Sequence, residues 1–368
     1  MKRLCLALLA LFLLSGIAFA EGYGEFLSDA DIGRIQSFSD EYSGIDIASI
    51  TDDVAQGELG IPEEMENYLK RSVRDALGDT AGRVMAAIVP VLLLAVLGCA
   101  FPHSRGGVSG ARFILAVSML GTFVKIASSA LQSAESCITA SKKFTDVITP
   151  VLSAVTTAAG MNASAALVTP ASALAGNIFE NLFCKYGLAA CRCALVLAAV
   201  GGLTDSIDLS SLISVVRKAV NWCCGLAGTL FAALAAVQNN IASSADSAAA
   251  RTVKYTVDSF ASIIGGGVSE AWNTYAAGVS IAKNAVGVSG SAAILAAGIR
   301  PVASILLSML SFKFIAVFLD MIGEKRASRS CDQVSGVCQM ALSLSCGSIV
   351  IAVILATAAM FAGRGFLF

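Results

Sequence analysis

Polar side chains interrupt the apolar stretches of this chain and are its first candidates for chemistry. Asn177, Glu180 and Asn181 lie three and four residues apart, so that a helix would place them on one face. Cys184 and Lys185 continue this face, and the intervening positions are apolar. Such a face could line an aqueous cavity. An amphipathic helix at the membrane interface explains the same spacing equally well.

Ionisable residues in other apolar stretches are the second group of candidates. A charge in lipid is costly, so it tends to pair with another group or to serve a function. Lys254 and Asp258 can pair at a four-residue spacing, and Lys313 and Asp320 fit side chains that extend toward the membrane edge. The remaining members of the group are Lys125, Arg192, Glu270 and Lys283.

No catalytic motif accompanies these residues. The sequence contains no P-loop, no His-Glu-x-x-His and no Gly-x-Ser-x-Gly, and His103 is its only histidine. Most of the eleven cysteines lie in or beside apolar stretches, where cysteine usually acts as a small apolar residue. Cys191-Arg-Cys193 and Cys223-Cys224 lack the spacing of zinc knuckles. We therefore expect no enzyme activity, no cofactor and no metal.

The composition indicates a membrane protein. Hydrophobic residues make up 56% of the chain and charged residues 14%, and the mean hydropathy is +0.77. Soluble domains average about 45–50% apolar and about 25% charged residues. Residues 21–80 carry fifteen acidic and four basic side chains, whereas residues 81–368 carry nineteen basic and eleven acidic ones. The acidic segment gives no support to nucleic-acid binding.

The N-terminus has the pattern of a cleavable signal peptide over residues 1–20. Lys2 and Arg3 precede the apolar run Leu4–Leu14, and Ala18-Phe19-Ala20 supplies the small residues that signal peptidase accepts. The pattern predicts that residues 21–80 form an acidic extracytoplasmic segment, here called the head. Residues 81–368 are then a helical membrane domain.

The membrane domain is predicted to be all-α, with seven to ten transmembrane or re-entrant helices. Val84–Phe101 is the clearest span, and the basic turn after it is expected in the cytoplasm. Residues 238–250 are predicted as a loop, glycines 265–267 as a helix break, and Arg300-Pro301 as a division between two spans. Further candidate spans are 113–131, 144–161, 164–183, 187–203, 219–237, 286–299, 302–319 and 337–362.

Two patterns bear on how these helices are arranged. Strict alternation across the membrane leaves five basic residues outside, against the positive-inside tendency: Lys142, Lys143, Arg251, Lys254 and Arg300. Some of the weaker segments are therefore expected to lie in the membrane interface and not to cross it. Small residues recur every four positions at Gly228, Ala232 and Ala236, and again at Ala285, Ser289, Ala293 and Ala297. Such faces favour close helix packing, within one bundle or with a partner.

Together these features resemble the stage III sporulation protein AE family of endospore-forming Firmicutes. The most specific part is Arg251-Thr252-x-Lys254, Phe260, the glycine cluster, and Ser280-Ile281-x-Lys283-Asn284-x-x-Gly287. It continues through Pro301 to the turn at Glu324–Asp332. The chain departs from the family pattern at Ser262-Ile263-Ile264, where a proline is expected.

The resemblance implies a place in the mother-cell membrane around the forespore. Its implied partners are membrane and ring-forming proteins of a secretion-like channel complex and a cytoplasmic secretion-type ATPase on a separate chain. We therefore expect a non-enzymatic membrane platform, with a solute permease as the alternative and an intramembrane enzyme as a third hypothesis. The candidate cavity-lining or partner-facing residues are Asn177, Glu180, Asn181, Arg251, Lys254, Glu270, Lys283 and Asn284.

Overall fold

A computed structural model describes residues 29–47, 49–51, 63–100, 107–158, 160–203, 210–264 and 267–361. The predicted signal peptide lies outside these ranges. The described residues are helical and contain no strand, which confirms the all-α prediction. The helices are α1 (Asp29–Tyr42), α2 (Glu63–Ala100), α3 (Gly107–Ala158), α4 (Asn162–Asn177), a π-helical segment (Ile178–Gly187), α5 (Leu188–Leu203), α6 (Ser210–Ile264), α7 (Gly267–Ile322) and α8 (Lys325–Phe361).

Two glycine turns connect neighbouring helices at opposite ends of the bundle. Gly160, with φ +72°, joins α3 to α4, and Gly323, with φ +90°, joins α7 to α8. At each turn, backbone N–H groups of the glycine and of the next residue donate to carbonyls of the preceding helix. A left-handed glycine just after a helix is a common helix end, because glycine has no Cβ to clash there.

Helix α8 lies at the centre and runs parallel to α3 and α6. Ser141 Oγ of α3 lies 3.2 Å from Ser348 Oγ, and Cys224 Sγ of α6 lies 3.1 Å from the Ser343 carbonyl oxygen. Helix α7 runs antiparallel to α8, as the pair Lys313 and Asp332 shows at one end. Helices α3, α6 and α8 therefore run in one direction, and α7 runs in the other.

Five helical segments of the described residues are long and apolar enough to cross a membrane. This confirms the multi-pass character. Each segment has 33 to 45 residues, whereas about 20 residues suffice to cross the hydrocarbon core of a bilayer. The segments are Ile114–Ala158, Asn162–Gly201, Ser210–Thr252, Asn284–Ile322 and Lys325–Thr357.

Several predicted interruptions are wrong, because the helices continue through them. Residues 238–250 belong to α6, since alanine, which fills much of this segment, is the strongest helix former. Pro301 lies inside α7; membrane helices tolerate proline where neighbouring groups compensate. Helix α2 also runs across residue 80, where the head is predicted to meet the membrane domain, and this continuity leaves the predicted boundary untested. The predicted break at glycines 265–267 falls mostly outside the described residues, which resume at Gly267.

Candidate functional site

The first candidate site lies on the π-helical segment after α4. Asn177, Glu180 and Asn181 are exposed, whereas Phe179 and Phe183 are fully buried. The predicted two-faced pattern is therefore present on the bundle surface. Most π-helical turns are single bulges, often at functional sites, so a ten-residue segment is unusual.

Two ion pairs join this region to α3. Glu180 Oε2 lies 2.7 Å from Lys142 Nζ, and two turns away Glu135 Oε2 lies 2.7 Å from Arg192 on α5. All four side chains are at least two-fifths exposed, so each pair contributes only about 0–1 kcal/mol to stability. Their main effect is to align α3 with the π segment and α5, which run antiparallel to it.

The head contacts α3 beside these pairs. Glu41 Oε1 of α1 lies 2.5 Å from Lys143 Nζ, and that ammonium lies 5.4 Å from the Tyr42 ring centroid. Phe38 packs against Phe144, with ring centroids 5.4 Å apart. Phe38 and Phe144 are buried. Helix α1 is therefore docked on the membrane domain, through an apolar contact with an ion pair at its edge.

Ion pairs explain three of the basic residues that conflicted with simple alternation. Lys142 and Lys143 each pair with a carboxylate of another helix, and Arg300 lies 3.6 Å from Asp79 of α2. The paired acids come from the head and the π segment. Each acid lies 38 to 221 residues from its basic partner in the sequence, so no local sequence pattern predicts these pairs.

The remaining predicted residues lie elsewhere on α6 and α7. Arg251 is exposed and borders a shallow surface depression with Ser243, Ser244 and Ser247 of the same helix. Asn284 is half-buried on α7. The side chains of Lys254, Glu270 and Lys283, and the predicted Lys254–Asp258 pair, lie outside the described part of the structure. The described residues therefore do not bring the eight candidates together.

Asp246 is a buried carboxylate that the sequence analysis missed. Its two oxygens accept hydrogen bonds from the backbone N–H groups of Ala163 and Ser164, each at 3.0 Å, and from the Ser164 hydroxyl at 2.5 Å. Met161, the residue at the start of α4, supplies no side-chain cap. Asp246 of α6 therefore caps α4 from another helix and fixes the Gly160 end of the bundle.

A buried seam of small polar residues lies between α3 and α8. Ser141 and Ser348 are within hydrogen-bond distance, and Cys137 Sγ lies 3.9 Å from the Ser345 carbonyl oxygen. The hydroxyls of Ser141, Ser345 and Ser348 also donate to carbonyls of their own helices. Because these groups already have partners, the seam serves helix packing.

Comparisons with known proteins point to one family. The family model described as stage III sporulation protein AE matches residues 51–364. The chain is 23% identical over 254 residues to the stage III sporulation protein AE of Bacillus subtilis (strain 168), a match that covers 67% of this chain and 62% of that protein. No solved structure matches.

Proposed function

This chain belongs to the stage III sporulation protein AE family, and we propose that it is a non-enzymatic platform in a secretion-like channel complex between mother cell and forespore. The family match supports a role in sporulation, and the long apolar helices make the chain a multi-pass membrane protein. In this proposal the complex sits in the mother-cell membrane around the forespore and is needed for late forespore development.

The docked head is the observation that carries the platform role. Helix α1 buries Ile35 and Phe38 against the membrane domain, while Arg34, Ser37 and Asp40 on the same helix stay exposed. A helix held in place in this way presents its outer face in a fixed orientation to another protein. The acidic excess of residues 21–80 favours partners with basic surfaces.

The proposed partners follow from this arrangement and from the family. The head, exported by the signal peptide, meets ring-forming and other membrane proteins in the space between the two membranes. The energy source is a secretion-type ATPase on a separate chain, because this sequence carries no nucleotide-binding motif.

Removing the part of the head before α2 tests the platform role. A chain that lacks residues 21–60 keeps the signal peptide and all of α2, so it should still insert into the membrane. Purification of tagged protein from sporulating cells should then recover less of the partner proteins, and late forespore gene expression should fall.

The double variant Ser37→Lys and Asp40→Lys is a second test, because it changes only the exposed face of α1 and makes that face basic. If that face contacts partners, the variant should lose them while the protein inserts and melts normally. A headless chain that assembles the complete complex and supports normal spores would refute the platform role of the head.

A further inference from the structure

A groove runs along the outside of the bundle between α6 and α7, and α8 forms its floor. Helix α6 contacts α8 at Gly336, whereas α7 contacts it at Ser335, whose hydroxyl donates to the Met309 carbonyl oxygen at 3.3 Å. Between these two lines of contact, a strip of α8 stays half-buried, although Met340 and Ser345 on other sides of the helix are 0% exposed. The strip follows the helix at three- and four-residue steps: Gln339, Ser343, Cys346 and Val350.

The two walls of the groove differ in the size of their side chains. The small-residue face of α6 forms one wall, and a Cβ added at Gly225 or Gly228 would meet no described atom within 4 Å. On α7, Lys313 reaches Asp332, which lies seven residues before Gln339 on the same strip. The α7 positions four, seven and eleven residues before Lys313 therefore form the other wall, and they are large and apolar: Met309, Leu306 and Val302.

The helices around the groove carry no charge over most of its length. Residues 219–245 of α6, 301–312 of α7 and 333–361 of α8 contain no acidic or basic side chain. From residue 336 to residue 350, the floor measures about 21 Å at about 1.5 Å per residue. One leaflet contributes roughly 15 Å to the hydrocarbon core of a bilayer. The groove is therefore long enough for one acyl chain of a lipid.

Basic side chains lie at the end of the groove nearer the Gly323 turn. Arg217 of α6 is half-buried, and its Nη1 lies 3.0 Å from the position of a Cβ at Gly336. Lys218 beside it is exposed, as is Arg329, two turns before Gly336 on α8. The ion pairs of the described residues include none of these three cations. A half-buried guanidinium without a carboxylate favours an anionic ligand such as a phosphate group.

We propose that the groove binds an anionic phospholipid. Its phosphate lies among Arg217, Lys218 and Arg329, and one acyl chain lies between the small wall of α6 and the apolar wall of α7. Basic pockets between membrane helices bind acidic lipid head groups in this way. A zwitterionic lipid fits less well, because its ammonium group would approach the same three cations. This inference does not rest on the proposed sporulation role.

Native mass spectrometry tests the head-group preference. The purified protein is stripped of lipid in detergent and mixed with equal amounts of phosphatidylglycerol and phosphatidylcholine that have the same acyl chains. One phosphatidylglycerol per chain should stay bound in preference to phosphatidylcholine. The double variant Arg217→Gln and Arg329→Gln should lower this preference on the order of tenfold, because two positive charges near the phosphate are lost.

The double variant Arg71→Gln and Arg74→Gln is the matched control, because it removes two exposed positive charges from α2. It should keep the preference of the unaltered protein. The melting temperature provides a second readout, since phosphatidylglycerol should raise it more than phosphatidylcholine does, and only when Arg217 and Arg329 are present. Equal losses in the two double variants, or equal retention of both lipids by the unaltered protein, would overturn the proposal.

Gly225→Leu tests the position of the acyl chain. The leucine fills open space in the groove and favours the helix, so the variant should melt no lower than the unaltered protein without lipid. It should nevertheless bind less phosphatidylglycerol. Unchanged binding would place the lipid outside the groove and refute the proposal.

Inorganic phosphate in millimolar excess distinguishes a lipid site from a simple anion site. It should leave the bound phosphatidylglycerol in place, because the acyl chain contributes to binding. Displacement by phosphate would overturn the assignment to a lipid. If the unaltered protein retained neither lipid, the groove would instead be open to a transmembrane helix of another protein, and the proposal would fail.

Discussion

Two helix faces share one sequence pattern but differ in environment. Both place a small residue every four positions, which allows close helix approach in a membrane. The face on α7 is almost completely buried, at 0–5% exposure, in Ala285, Ser289, Ala293 and Ala297. The face on α6 is open, with Gly228 and Ala232 half-buried and Ala236 exposed.

The difference follows from the position of each helix in the bundle. Helix α7 packs on α8 closely enough that a Cβ added at Gly298 would overlap Ile349. Helix α6 contacts α8 beside the lower end of this face, where Arg217 and Cys224 meet Gly336 and Gly347, and the face turns away from α8 toward Ala236. The small-residue pattern therefore indicates where helices can approach closely, but the neighbouring helices determine whether they do.

The largest expected effect separates the two faces directly. Ala293→Leu adds three carbons at a position with no exposed surface, and overpacking of this kind costs typically about 1–3 kcal/mol. We expect its melting temperature in detergent to fall by several degrees. Ala236→Leu is the matched control, because it makes the same change at an exposed position and should alter the melting temperature little.

The opposite ranking would contradict the comparison. If Ala236→Leu destabilised the protein as much as Ala293→Leu, the α6 face would have to be covered. Analytical ultracentrifugation of both variants would then show whether a second copy of the chain covers it.

A second change tests how α6 is fixed despite its open face. Asp246→Ala removes the cap of α4 and leaves two backbone N–H groups and one hydroxyl without their acceptor, at a cost of about 1–3 kcal/mol. We expect a lower melting temperature and faster proteolysis near Gly160. Asp246→Asn keeps one acceptor oxygen and should lose less.

Equal losses for the alanine and asparagine variants would show that the negative charge, and not the hydrogen bonding, supports the α4 terminus. No loss in either variant would mean that α6 is held by its packing against the neighbouring helices without the help of this cap.

The sequence predicted the class of fold well and its connections less well. Apolar length and composition are enough to predict a helical multi-pass protein, because a bilayer excludes most alternatives. Residues 238–250 were predicted as a loop because they are polar, although their alanines favour a helix. The role of Asp246 depended on that segment being helical and on a helix start 82 residues away.

The candidate site shows the same limit. The spacing of Asn177, Glu180 and Asn181 was sufficient to predict an exposed polar face, since helix geometry is local. The partner of Glu180 was not predictable, because Lys142 lies on another helix. The only signal that Lys142 gives in the sequence is a conflict with the positive-inside tendency. The spacing of residues in one helix is enough to predict its polar face. The side chains that this face contacts depend on how the helices pack together.

A third, smaller effect compares glycines on the two helices. A Cβ at Gly228 of α6 would meet no atom within 4 Å, so Gly228→Ala should stabilise the helix by up to about 1 kcal/mol. The same change at Gly298 of α7 gains the same propensity but forces Ile349 to move. Gly228→Ala should therefore melt higher than Gly298→Ala, and the reverse order would mean that the α6 face is packed.

The smallest effect concerns the head, which is held partly by an exposed ion pair. Glu41→Lys places two ammonium groups together and should loosen α1, whereas Lys143→Glu in the same chain restores an opposite pair. The single change should cost about 1 kcal/mol or less and increase protease cleavage between α1 and α2. The double variant should recover protection, because the buried contact between Phe38 and Phe144 is unchanged.

If the single variant were fully protected, the aromatic contact alone would hold the head. In that case the open face of α6 would differ from the docked face of α1 in lacking a buried aromatic anchor, and not in lacking charge.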